Sequence, residues 1–265
     1  MNMIKMNKFL IILVLIAFSL IISGMIIYSS NDTSIKGIYF RKTYGYIGTG
    51  KSQQIMLDLT MFNVGNEDLS FFEDIENVSF DTDKVQIENI EIKSVNKERD
   101  IEILQFIVLI EMLVYDKIQI MKIKYEADDL IKSYDIGCIN LENIDEEPEL
   151  IGHGANSNFL YNNQYFLTIN NTNTESFTIN DLICSSEKIT RIEKSFPTDY
   201  EKGKKLQIQM KIEFDVNYFD VFILKPILKF NKLNDPEDYY LLIAIQTRYE
   251  IPMTYIEIKE YINHD

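Results

Sequence analysis

Histidine is nearly missing from this chain: among 265 residues only His153 and His264 carry an imidazole. His153 stands between two glycines and His264 is the penultimate residue, so no Ser-His-Asp or Cys-His constellation is expected. Cysteine occurs only as Cys138 and Cys184, which excludes a disulfide scaffold. A bridge between these two and a pair of ordinary buried thiols both remain open. Ten glycines and five prolines are too few for linker or low-complexity sequence. Basic residues are also short, 26 against 41 acidic ones, and the net charge of −15 argues against a phosphate-backbone partner such as nucleic acid. The acids are spread along the chain, as on a solvated surface.

One long apolar run is present. Phe9 to Tyr28 are twenty positions without a charge, preceded by Lys5 and Lys8. At the helical rise they span roughly 30 Å, the thickness of a bilayer's hydrocarbon core. The run is longer than the apolar region of a cleaved signal peptide, and Ile22 and Tyr28 spoil the small-x-small pattern before Gly24 and Ser30. An uncleaved anchor is therefore expected, with cleavage and secretion as the alternative. The Lys-bearing tail, residues 1–8, is placed in the cytoplasm and residues 31–265 outside, at the cell membrane. A cytoplasmic domain tethered by its N-terminus is the other topology.

Beyond the linker 29–35 the apolar period is close to two. The clearest run, Leu206 to Val216, is apolar at every even position and polar between, as in a strand with one buried face. Ile103 to Ile110 is continuously apolar but too short to cross a membrane, and reads as a strand buried on both faces. The chain also repeats itself. Leu59–Phe71 aligns with Leu167–Ile179 at an offset of 108, and Leu104–Val114 aligns with Leu206–Val216 at an offset of 102. The first pair reads as strand, polar turn, strand in both copies. Asn63–Glu67 and Asn171–Glu175 supply the residues that enter positive-φ turns.

Between the copies the sequence turns acidic, then small and polar, the composition of a connector. This gives a β-rich unit at 36–145, a connector at 146–157 and a second unit at 158–265. The pattern Leu-Thr-x-x-Asn, short polar turn, apolar strand, then a polar turn and a long alternating strand resembles tandem bacterial immunoglobulin-like domains of the cell envelope. Glu201–Lys205 holds the place of the second turn, while Lys97–Asp100 in the first copy lacks its glycine. The resemblance implies two tandem antiparallel β-sandwiches after an N-terminal transmembrane or signal helix. It implies nothing about chemistry.

No catalytic motif accompanies this architecture. Gly45-x-x-x-x-Gly50-Lys51-Ser52 matches the spacing of a phosphate-binding loop, but residues 53–62 read as strand, so no helix N-terminus follows to hold a phosphate. No His or Cys pair has zinc spacing. The densest carboxylates, Glu142, Asp145, Glu146 and Glu147 at the connector, are weak calcium candidates, and solvated acidic turns explain them equally. No cofactor is expected. The expected function is non-enzymatic: a membrane-anchored envelope protein whose two units bind an extracytoplasmic protein or act as a spacer. The alternatives are an accessory or regulatory subunit of a membrane complex and, less favoured, a secreted β-sandwich hydrolase.

Overall fold

The alternating runs become strands in the computed structural model. It describes residues 35–264 except 51–52, 128–129, 146–156, 162–163, 171–175, 196–198, 201–204, 216, 233–234 and 243–246. In the N-terminal half, β1 (Gly37–Phe40), β3 (Ile55–Val64), β6 (Ile101–Met112) and β5 (Val85–Glu98) form one antiparallel sheet in that order. Facing it are β2 (Thr43–Gly50), β8 (Leu130–Ile144), β7 (Lys117–Ala127) and β4 (Val78–Phe80). Ile55, Leu57, Leu59 and Met61 of β3 and Leu104, Phe106, Val108 and Ile110 of β6 point into the space between these sheets. There they meet Ile120 and Ile123 of β7 and Ile139 and Leu141 of β8. Phe40 and Phe72 meet Phe106 edge-on at 5.2 and 4.8 Å, filling the centre with rings. The apolar stretch 103–110 lies in β6, flanked by β3 and β5, with alternately buried and half-buried side chains.

In the C-terminal half, β12 (Ile189–Ser195), β14 (Lys205–Phe214), β10 (Gln164–Asn170) and β9 (Ser157–Tyr161) form a third sheet. A fourth contains β13 (Asp199–Tyr200), β11 (Phe177–Ile183), β16 (Ile227–Lys232) and β17 (Asp235–Leu242). The architecture is mainly β and sandwich-like. The two stretches that repeat in sequence are hydrogen-bonded neighbours in each half. Leu59 lies opposite Phe106, and Leu167 opposite Ile208, the positions related by the two offsets.

The halves differ in three ways from the expected tandem of antiparallel sandwiches. First, Leu69–Phe71 is not a strand: Ser70–Glu73 is a short 3-10 turn, whereas its counterpart begins β11. The Asp68 carboxylate accepts hydrogen bonds from the Ser70 N–H and hydroxyl at 2.9 and 2.8 Å. The turn drops Phe72 into the core while Phe71 stays half-buried against it, an arrangement strand alternation alone does not dictate. Gly65 and Asn66 have φ of 81° and 58°, and the Asn63 amide closes this bend onto the backbone of Glu67.

Second, the pairing is not wholly antiparallel. Strand β2 runs parallel to β8 on one side and on the other to β15 (Val221–Lys225), a strand from the C-terminal half. With β18 (Thr247–Tyr249) at its edge, this sheet has six strands, in the order β18-β15-β2-β8-β7-β4. Val221 and Ile223 enter the N-terminal core, and Phe222 and Leu224 enter the core of β11 and β16. Hydrogen bonding thus runs across the boundary expected at 146–157, most of which lies outside the described residues.

Third, the last described element is a helix, α1 (Tyr255–His264). Thr254 and Glu257 form a reciprocal cap: the Glu257 carboxylate accepts from the Thr254 N–H and hydroxyl at 2.7 and 2.8 Å, and the Glu257 N–H donates to the hydroxyl at 3.4 Å. Ile258 and Ile262, one turn apart, pack on Phe62, Val64 and Ile101 on the outer face of the first sheet. No described helix is long and apolar enough to cross a membrane, and the expected anchor, 9–28, lies outside the described residues.

Candidate functional site

The return of the C-terminal segment to the first half is fixed by a buried guanidinium. Arg41, in the step between β1 and β2, is 2% exposed. Its Nε donates to the Phe219 carbonyl, Nη1 to Glu250 Oε1 at 2.6 Å and Nη2 to the Ile251 carbonyl at 2.8 Å. Burial lowers its proton affinity, and the Glu250 carboxylate opposes that shift. The other Glu250 oxygen accepts from Arg248 Nε at 2.9 Å, and Arg248 also pairs with Asp58 Oδ1 at 3.0 Å. Thr60 of β3 donates its hydroxyl to Glu250 Oε1 at 3.0 Å. One lattice therefore joins β3, the β1–β2 step, the segment before β15 and the segment before α1.

Beside it opens a cleft of ≈ 480 Å³, lined by Lys42, Asn217, Tyr218, Phe219, Asp220, Glu260, Tyr261 and His264. Its volume is in the range of small-ligand sites. A chain of rings forms one wall: the Phe219 centroid is 5.2 Å from Tyr218 and 6.4 Å from Tyr261. The Tyr261 hydroxyl accepts the Lys42 backbone N–H at 2.7 Å, seating α1 against the start of β2. Asp220 is 3% exposed. Its Oδ2 accepts the Asn217 N–H at 3.1 Å, and its own N–H donates to the Asn217 carbonyl at 3.0 Å, closing a tight turn before β15. Burial pushes its carboxyl above the usual carboxylate range; the hydrogen bond from Asn217 and the charges of Lys188, Lys42 and Arg41 only partly offset this.

The residues singled out in the sequence are mostly elsewhere. His264 lies at the cleft on α1, a placement hidden by reading it as a loose end. His153 lies outside the described residues. Glu142 is on β8, accepting the Tyr46 hydroxyl at 2.8 Å and pairing with Lys117 at 3.2 Å. Asp145 follows β8, while Glu146 and Glu147 lie outside the described residues. Among the described residues no group of three or more His, Cys, Asp or Glu side chains is arranged to hold a metal ion. Gly45–Gly50 belongs to β2 and residues 55–64 form β3, so no helix follows the phosphate-loop-like spacing. Cys138 and Cys184 are both buried and not joined in a disulfide. Burial, then the neighbouring Glu187 carboxylate, pushes the Cys138 thiol up to about 11, so it is protonated and a poor nucleophile at neutral pH.

The cleft's residues come from three distant segments, and no linear motif joins them. The one local signal was Thr254-x-x-Glu257 ahead of apolar positions four apart, which marks α1.

No family model and no curated protein matches this chain. Among solved structures, a protein of unknown function from Porphyromonas gingivalis W83 is similar at 9% identity and a TM-score of 0.26, over 81% of this chain and 99% of that one. The periplasmic chaperone SfaE is similar at 12% identity and a TM-score of 0.20, over 80% and 98%. The YadV chaperone is similar at 13% identity and a TM-score of 0.20, over 81% and 99%. TM-scores this low carry no functional conclusion for the chain.

Proposed function

We propose that this chain is a non-enzymatic binding module of the cell envelope, anchored through residues 9–28, with two immunoglobulin-like units outside the membrane that dock a protein partner. The order β1-β3-β6-β5 facing β2-β8-β7-β4 supports the immunoglobulin-like part. It corresponds to the A-B-E-D and C-F-G sheets of that fold, with a split first strand parallel to the last. The observation that carries the binding role is the cleft at the seam. Three segments far apart in sequence converge there to form a cleft of ≈ 480 Å³ with a wall of rings. Asp220 immediately precedes β15, which both cores share, so this side of the site is anchored to a packed strand.

Affinity capture from native membranes tests the reading, using the C-terminally tagged full-length chain beside a form starting at Lys36. A protein partner retained by both supports an extracytoplasmic binding module. A partner lost on truncation assigns the interaction to the apolar segment, and capture of none rejects the module.

A further inference from the structure

We infer that the cleft beside α1 takes a cationic side chain, a lysine ammonium or an arginine guanidinium, presented by the partner polypeptide. The inference deepens the binding-module reading and rests on it. Its centre is Asp220, which lines the cleft yet is only 3% exposed. Among the described residues the carboxylate has one hydrogen-bond donor, the Asn217 N–H on Oδ2, and no ion pair. The cations nearest it are engaged elsewhere: Lys42 Nζ is 3.6 Å from Asp135, Arg41 is bound to Glu250, and Lys188 lies 4.8 Å from the Tyr44 ring centroid. A buried carboxylate is costly until a charge meets it, and the elevated proton affinity of Asp220 is the same shortage expressed as titration.

Lys42 also lines the cleft but is held by Asp135, and the rings and Glu260 of the lining suit a cation with an apolar stem. Tyr218 is 60% exposed, and with Phe219 and Tyr261 it forms a ring wall over which an ammonium or guanidinium is attracted and its methylenes are covered. Exposed Glu260 adds a second carboxylate from α1, and the net charge of −15 draws cations toward the surface. An anionic ligand would meet both carboxylates. A neutral one would leave Asp220 uncompensated.

The test uses the full-length chain in detergent micelles and three probes: Nα-acetyl-lysine amide, Nα-acetyl-arginine amide and the uncharged Nα-acetyl-norleucine amide. Binding is followed by ligand-observed NMR. Both basic probes are expected to bind, norleucine amide is not, and binding weakens as salt rises. Asp220→Asn, which keeps the shape and the acceptor for Asn217, and Tyr218→Ala, at an exposed ring, each weaken the basic probes about tenfold. Equal binding of norleucine amide, no binding of either basic probe, or undiminished binding by Asp220→Asn overturns the inference. Captured partner that survives Asp220→Asn overturns it while leaving the module reading intact. Basic probes that bind a chain capturing no partner support the site and reject the module.

Discussion

Arg41 spends its three donor groups on Phe219, Glu250 and Ile251, so its removal leaves two carbonyls without these donors, while Glu250 keeps Arg248 and the Thr60 hydroxyl. Arg41→Ala is expected to destabilise by about 2–6 kcal/mol, from two buried carbonyls at about 1–3 kcal/mol each, read by urea unfolding. Asp220 has the opposite character. Its folded-state carboxyl is raised, so the folded protein holds the proton more tightly, and stability present below the unfolded pKa is lost as pH rises through the folded one. Asp220→Asn removes that loss. Its melting temperature should equal the parent's at acid pH and exceed it at neutral pH; a neutral-pH decrease would show that the charge of Asp220 stabilises the fold.

The strands vary in how far they were legible. The period-two run at 206–216 and the repeat were readable because the alternation of apolar and polar residues is local in sequence, and the two offsets match the pairing of β3 with β6 and of β10 with β14. Strand β15 was not readable in this way. Its run Val221–Leu224 is apolar throughout, which says that both faces are covered but not that its neighbour β2 lies more than 170 residues earlier. Gly45 carries the matching clue, since a Cβ there would sit 1.9 Å from the Ile223 carbonyl oxygen. Gly45→Ala, at φ 149°, is expected to cost about 1–3 kcal/mol in backbone strain alone and to raise amide exchange selectively across residues 221–225. Unchanged exchange there would mean that the parallel pair does not depend on the missing Cβ. The cleft was hidden for the same reason as β15: Lys42, Asp220 and Glu260 meet only after that strand and α1 have come home.

At the scale of the whole molecule, a shared strand makes the halves unequal to their sequence boundaries. A fragment comprising residues 35–145 lacks β15, β18 and α1, and so exposes the faces that Val221, Ile223, Ile258 and Ile262 cover. That fragment is expected to be aggregation-prone or poorly folded alone and to be rescued by co-expression of residues 146–265, measured by solubility and amide dispersion. Independent folding of residues 35–145 would show that the shared sheet is dispensable. The same sharing sets an order of events during synthesis. The half made first cannot complete its six-stranded sheet until residues 221–249 have been made, so it must wait with an open β-edge while the second half is produced.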